Sequence, residues 1–298
     1  MKTFRFFVFA LLTGTLSIVQ AAAPSDDQVR EMKSLLGGLK YQQGEITLKD
    51  GLAKLRLPDS LRYLGPQDAE TVLVKLWGNP PNQAKPLGLL IPAGMSPAQD
   101  NAWAVIIQYE ESGYVKDDDA AKINYNDLLK QMKESAVEAN KERAKAGYST
   151  VELIGWAAPP RYDAQAKKMY WAKELKFGDG DQNTLNYNIR ILGRRGVLVL
   201  NAVAGITQLA EIQQAAPGIL RAVEFQEGHR YADFKPGSDK VATYGLAALV
   251  AGGVLAKTGF FKMLLVGLLA AKKFVVIGVI AVVSFLKKIF GRKSETIG

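Results

Sequence analysis

Apolar and polar residues alternate over residues 184–192: Leu185, Tyr187, Ile189 and Ile191 fall on one side, Asn186, Asn188 and Arg190 on the other. A period of two predicts a strand with one buried face. The next run, 197–204, is apolar on both faces and predicts a central strand. Strands are also predicted at 168–177, at 150–156 up to a break at Pro159-Pro160, at 87–91, and at 103–110 with Trp103, Val105, Ile107 and Tyr109 on one face. Residues 45–57 read as a hairpin, in which Asp50-Gly51 supplies the two positive-φ residues of a type I′ turn. Pro58 limits the returning strand.

Helical spacing takes over elsewhere. It predicts helices at 26–36, ended by Gly37-Gly38, and at 66–77, with Pro66, Asp68 and Glu70 in the first turn. The longest helix is predicted at 124–146. Its stripe is Tyr125, Leu128, Leu129, Met132, Ala136 and Ala139, and Lys130/Glu134 and Glu138/Lys141 are paired on its charged face. A last helix, 206–223, is interrupted at Pro217-Gly218. Strands in close succession, with helices before, between and after them, predict an α+β fold. The expected architecture is an antiparallel sheet meander with helices packed on one face, followed by a C-terminal transmembrane segment.

The two ends depart from this pattern. Lys2 and Arg5 precede an apolar run to Val19, and Val19-Gln20-Ala21 places small residues where a signal peptidase cuts. Residues 1–21 are therefore expected to be a signal peptide and 22–240 an exported soluble domain. Beyond Lys240 the chain is apolar for more than 40 residues, punctuated by Lys257, Lys262, Lys272 and Lys273. That length exceeds a buried core helix, so 241–290 is expected to be a membrane anchor, with 291–298 a basic tail. One span over 241–261, or a hairpin with a second span over 274–290, both fit, and they put the C-terminus on opposite sides. Gly245, Ala248 and Gly252 have the small-xxx-small spacing of helix packing in lipid.

Charge follows the same division. Of the net +9, two basic residues lie in the first 21, and eight lie beyond Lys240 together with Glu295. The remaining 28 basic residues face 28 acidic ones, so the body is neutral. Nucleic-acid binding would want the basic charge on the folded domain, so it is excluded as the expected role. The basic ends suit anionic lipid headgroups. There is no cysteine, which removes thiol chemistry and cysteine-bound zinc and leaves the exported domain to be held by its core.

Candidate chemistry is sparse. His229 is the only histidine, in a polar loop without a nucleophile elbow, and reads as a solvated residue rather than a catalytic base. Asp179-Gly180-Asp181 with Asn183 has a faint calcium-loop pattern, but Arg190 stands where the loop needs a bidentate glutamate, so a hairpin turn is expected. Glu110 and Glu111 point to opposite faces if they lie on a strand. Arg194-Arg195 reads as a hairpin tip, Asp117-Asp118-Asp119 as a solvated turn, and Trp77, Trp103, Trp156 and Trp171 as core. No metal, cofactor or catalytic residue is assigned.

Two stretches carry a resemblance. One is residues 231–253, YADFKPGSDKVATYGLAALVAGG, whose motif residues are Tyr231, Asp233, Phe234, Asp239 and Lys240; the other is Leu61-Arg62-Tyr63-Leu64-Gly65 with Trp77-Gly78-Asn79-Pro80-Pro81. They resemble an uncharacterised family of membrane-anchored bacterial proteins, described as a domain of unknown function. The resemblance implies a bacterial membrane protein with an exported domain, and brings no catalytic residues. The expected protein sits in the inner membrane with its domain on the periplasmic side. It is a non-enzymatic interaction or assembly module whose partners are the bilayer and an envelope or membrane protein. Two alternatives stand beside that reading: a domain that binds lipid or a small ligand, and a hydrolase acting through carboxylates or serines.

Overall fold

The computed structural model describes residues 26–77, 79, 85–145 and 149–251; the N-terminal 25 residues and the run beyond Ala251 lie outside it. Helix α1 (Asp26–Gly37) leads into strands β1 (Tyr41–Gln42), β2 (Glu45–Leu48), β3 (Ala53–Arg56) and β4 (Leu61–Leu64). Helix α2 (Pro66–Glu70) continues as a π-helical stretch, Thr71–Leu76. Strands β5 (Gly88–Pro92) and β6 (Ala104–Glu110) precede the long helix α3 (Tyr125–Lys145). Strands β7 (Val151–Asp163), β8 (Lys168–Phe177), β9 (Thr184–Leu192) and β10 (Val197–Gly205) follow. Helix α4 (Leu209–Ala222), strand β11 (Val223–Phe225) and a short helix α5 (Leu246–Ala251) complete the described chain.

Eight strands form one antiparallel sheet in the order β1-β4-β5-β6-β10-β9-β8-β7, and β11-β3-β2 form a second, smaller one. The run β7 to β10 is the expected meander. β6 pairs with β10 rather than with its successor, so α3 carries the chain from the middle of the sheet to its far edge. The start of α3 is fixed by Asn124, whose Oδ1 accepts the amides of Asn126 (3.1 Å) and Asp127 (3.3 Å). Its apolar stripe turns inward, with Leu128 buried and Tyr125 and Met132 packed on the same cluster.

Helices cover both faces of the sheet, not one. Tyr63, Leu90, Val105, Ile107, Ile189 and Leu200 point to one side, where Ile212, Ala216 and Ile219 of α4 and Leu48, Leu55 and Phe225 of the small sheet meet them. On the other side α2 covers Leu64, Leu89 and Ala104 at one end. Leu128 of α3 and Leu246, Leu249 and Val250 of α5 cover Met169, Trp171, Leu192 and Val197 at the other. The reason lies in the central strands: β5 and β10 are buried on both faces, so each face needs its own cover.

Three local expectations change in detail. The turn of the first hairpin is longer than two residues, because Lys49 joins Asp50 and Gly51 at positive φ and Leu48 pairs with Ala53. Pro159-Pro160 does not end its strand. β7 runs through both prolines with a register shift across them and two more before them, which an edge strand tolerates because its outer N–H groups need no ladder partner. Pro217 lies inside an uninterrupted α4, where burial of Ile212, Ala216, Ile219 and Ala222 holds the helix across the missing N–H bond.

Candidate functional site

The segment read from sequence as a polar connection between body and membrane is folded onto the body. Tyr114 donates its N–H to the Lys240 carbonyl (2.8 Å), and Ala242 returns an N–H to the Tyr114 carbonyl (2.9 Å), making a short parallel bridge. Gly113 permits this approach: its φ is +98°, and a Cβ there would lie 2.7 Å from the Lys240 oxygen.

The motif residues each have a place in the joint. The Asp239 carboxylate accepts from Arg194 Nε (2.6 Å) and Nη2 (2.9 Å) and from the Lys235 N–H (2.7 Å), with its side chain 3% exposed. A bidentate guanidinium–carboxylate pair is among the stronger charge-assisted contacts. The Arg194 hydrogen bonds hold the Asp239 carboxyl well below the usual carboxylate range and push the guanidinium up in turn. Asp233 accepts the Arg230 N–H (2.9 Å) and closes a one-turn helix. Phe234 and Tyr231 stack on Tyr114, at 3.9 Å and 4.3 Å between ring centroids, so Tyr114 is the middle ring of a three-ring stack. The Tyr231 hydroxyl donates within reach of Val115 O and Asp117 Oδ1, both 3.0 Å.

Asp117 collects three donors: Tyr162 (2.5 Å), Lys167 (2.7 Å) and Tyr231. Burial pushes its carboxyl up, but the hydrogen bonds from Lys167, Tyr162 and Tyr231 outweigh that and leave it below its ordinary value. Burial, and after it the hydrogen bond to Asp117, drives the Tyr162 phenol far up; Tyr231 is raised by burial first, then by Tyr114 and Asp117. Two residues on, Asp119 accepts the first two amides of α5, Leu246 (3.1 Å) and Ala247 (3.2 Å). Gly245 is small for this reason, since a Cβ would lie 2.6 Å from Asp119 Oδ2. Gly245 thus stands against an aspartate of the body, Ala248 is half-buried in α5, and Gly252 lies outside the described residues.

Asp117, Asp119, Arg194 and Tyr114 were not singled out as site residues by sequence reasoning. The runs Asp117-Asp118-Asp119 and Arg194-Arg195 were visible, but their partners lie 45 to 128 residues away in the chain, beyond any local pattern. The other candidates fall apart. His229 is half-buried, and among the described residues only its backbone is hydrogen-bonded, its carbonyl accepting the Arg194 N–H at 2.9 Å and its N–H donating to the Gln226 carbonyl at 3.0 Å. Asp179 and Asp181 are exposed in the β8–β9 turn, and Asn183 turns to Glu174. Glu110 ends β6 half-buried and Glu111 is exposed beyond it. Among the described residues no three histidine, aspartate or glutamate side chains come together as a metal site. Nor is any described helix long and apolar enough to cross a membrane.

A second feature lies on the sheet face shared by α2, α3 and α5. Strand register places Ile106, Asn201, Asn188 and Trp171 side by side across β6, β10, β9 and β8. The neighbouring rows bring Gln108, Val199 and Arg190 on one flank and Val203, Asn186 and Lys173 on the other. The alternation on β9 is therefore the expected one, but its polar face is not a solvent face: Asn186, Asn188 and Asn201 are only 4%, 4% and 6% exposed. Asn188 Nδ2 donates to Asn186 Oδ1 (2.7 Å), and Arg190 lies over the Trp171 ring at 5.1 Å. Burial first, and the Arg190 charge second, bring the Lys173 ammonium down to about 8.

Comparison with known proteins gives one family match and structural matches of low score. The solution structure of cyanobacterial PsbP (CyanoP) from Synechocystis sp. PCC 6803 is 10% identical, covering 63% of this chain and 92% of that one with a TM-score of 0.34. The crystal structure of the Saccharomyces cerevisiae Ran-binding protein Mog1p is 11% identical, covering 66% of this chain and 100% of that one with a TM-score of 0.33. No curated protein matches the sequence. The model of a family described as protein of unknown function (DUF2167) matches residues 40–283, and the chain belongs to that family.

Proposed function

We propose that this is an exported bacterial envelope protein, anchored in the inner membrane by its C-terminal apolar segment, whose folded domain is a non-enzymatic docking or assembly module on the periplasmic side. In this reading residues 1–21 are removed as a signal peptide and the basic tail, 291–298, follows the anchor. The observation that carries the reading is the clamped joint at residues 231–247. The Asp239–Arg194 pair, the three-ring stack and the Asp119 cap tie the start of the apolar segment to the body. A flexible tether needs none of these. A clamp of this kind fixes the orientation of a domain relative to the helix that leaves it, which is what a docking surface at a membrane requires. Because Leu246, Leu249 and Val250 are buried against the body, the membrane-embedded stretch is proposed to begin beyond Ala251 rather than at Val241. The partners in this reading are the bilayer and an envelope or membrane protein.

The test is in-cell cross-linking of the full-length chain with mass spectrometry of what it captures, together with carbonate extraction and protease treatment of spheroplasts. The expected results are a mature N-terminus at Ala22, retention in the carbonate pellet, cleavage of the body from outside intact spheroplasts, and one envelope protein captured reproducibly. Release by carbonate, or protection of the body, overturns the anchored periplasmic reading. Absence of any captured protein overturns the docking role. The buried polar row on the sheet favours a second reading, in which the body binds a small ligand; its polar lining suits a charged molecule better than an acyl chain.

A further inference from the structure

Buried polar groups in folded proteins almost always find partners, and each exception asks for an explanation. Two exceptions sit in one row of this sheet. Among the described residues Trp171 Nε1, on a residue 1% exposed, has no hydrogen-bond partner, and neither has Asn201 Oδ1. They flank Asn188 in register, so the unpaired donor and the unpaired acceptor lie in one row on the same face of the sheet. Two cations frame that row. Arg190 reaches in from one side, its Nη2 3.4 Å from Asn188 Oδ1 and its guanidinium over the indole face. Lys173, beside Trp171 on β8 and opposite Asn186, comes from the other and has no hydrogen bond or ion pair among the described residues. Both are half-buried.

Glu110 and Tyr244 lie near enough to act on the Arg190 charge, but neither is hydrogen-bonded to it among the described residues. Met169, Val199 and Val203 add apolar surroundings, and Gln108, opposite Val199, adds a polar side chain. Two cations held in partial burial with no carboxylate hydrogen-bonded to either among the described residues are costly, and burial lowers the proton affinity of both. A core built for stability would place apolar residues here. Proteins keep such local conflicts where a ligand resolves them.

We infer that the row Asn201–Asn188–Trp171, framed by Arg190 and Lys173, binds a small oxyanion, a carboxylate or phosphate group with a neighbouring hydroxyl. Arg190 and Lys173 neutralise the anion, and the guanidinium fork offers parallel N–H donors. The Trp171 indole N–H supplies a further, directional donor. The Asn201 carboxamide oxygen accepts the ligand hydroxyl, which gives selectivity over a bare anion, because a site that leaves a buried acceptor unpaired binds the analogue without the hydroxyl poorly. The oxyanion can belong to a free metabolite or to a lipid headgroup; the site recognises the same chemistry in both.

The full-length chain, purified in neutral detergent and labelled with 15N at its tryptophans, provides a direct readout, since it has four indoles and Trp171→Phe assigns one. Inorganic phosphate, glycerol 3-phosphate and lactate are titrated at low salt against chloride, and a parallel sample is mixed with micelles doped with phosphatidylglycerol. The expected result is a saturable shift of the Trp171 indole proton, tighter for glycerol 3-phosphate than for phosphate. Arg190→Gln and Lys173→Gln should each weaken the midpoint about tenfold, the loss of one charge-assisted contact. Arg190→Lys, which keeps the charge and the fold but not the fork, should fall between. Response to the soluble anions assigns a free ligand, and response to phosphatidylglycerol alone assigns a headgroup. A Trp171 signal that none of the probes moves, or one that moves equally in Arg190→Gln and the parent, overturns the inference.

Discussion

Replacing Lys173 by methionine should make the ligand-free protein more stable, by an amount that depends on pH. The ammonium has an ordinary value of 10.5 and is brought down to about 8 in the folded state. That difference corresponds to about 3 kcal/mol of charge penalty carried by the fold. Lys173 is only half-buried, so water screens part of it, and a gain of about 1–3 kcal/mol at pH 7 is the working figure. The sign follows from proton binding. Below pH 8 both states are protonated, and the wild type bears the full penalty. Between 8 and 10.5 the folded chain has released the proton while the unfolded chain still holds it, so wild-type stability climbs with pH. Above 10.5 both states are neutral and the penalty is gone. Urea unfolding of wild type and Lys173→Met, followed by tryptophan fluorescence across this range, measures the difference directly. Taking the difference between the two proteins removes the titration of every other group. The advantage of the variant should be full at pH 7, shrink from 8 to 10.5 and vanish beyond, and at pH 7 it should raise Tm by about 2–10 °C. A variant less stable than wild type at pH 7, or an advantage that does not change with pH, would refute the claim that Lys173 is held charged against its surroundings.

Two further outcomes test the clamp. Asp119→Ala removes the acceptor for the Leu246 and Ala247 amides and should cost about 1 kcal/mol, read as faster hydrogen exchange at those two amides with little change at the β9–β10 ladder. Asp239→Asn should be less stable than wild type at neutral pH, because the folded state favours the carboxylate. That contribution is present above the ordinary carboxylate range and is lost as pH falls through the folded value, so the two proteins should converge in acid; denaturant midpoints that stay equally far apart down to about pH 2 would contradict it.

The regular part of this fold is legible because its causes are local. The strand predicted at 168–177 and the alternation over 184–192 return β8 and β9 with the same ends, and the double-sided apolar run of 197–204 returns the central strand β10. The prolines mislead, because whether Pro159-Pro160 ends a strand depends on that strand lying at the sheet edge, and whether Pro217 breaks α4 depends on the core beneath it. Neither fact is written near the proline. The second covered face was missed for a related reason: a stripe of polar residues in a strand looks the same whether it faces water or a buried row. Asn186, Asn188 and Arg190 read as a solvent face, and only the register of β8, β9 and β10 shows Asn201 and Trp171 beside them. The clamp residues show the same limit, since Asp119 and Leu246 are 127 residues apart.

The clamp and the polar row are not separate accidents of the surface. Trp171 carries Arg190 on its ring and, with Met169, Leu192 and Val197, belongs to the cluster on which Leu246, Leu249 and Val250 of α5 are seated. Tyr244, one residue before the Gly245 that Asp119 admits, lies close enough to Arg190 and Glu110 to act on both charges. An anion between Arg190 and Lys173 would therefore alter the charge balance at the residues that fix where the C-terminal segment leaves the body. Any coupling is reciprocal by linkage, so loosening α5 must change anion affinity by the same factor that the anion changes the docking of α5. Asp119→Ala supplies that perturbation: it touches no residue of the polar row, and a shift in the oxyanion midpoint in that variant measures the coupling between the two regions.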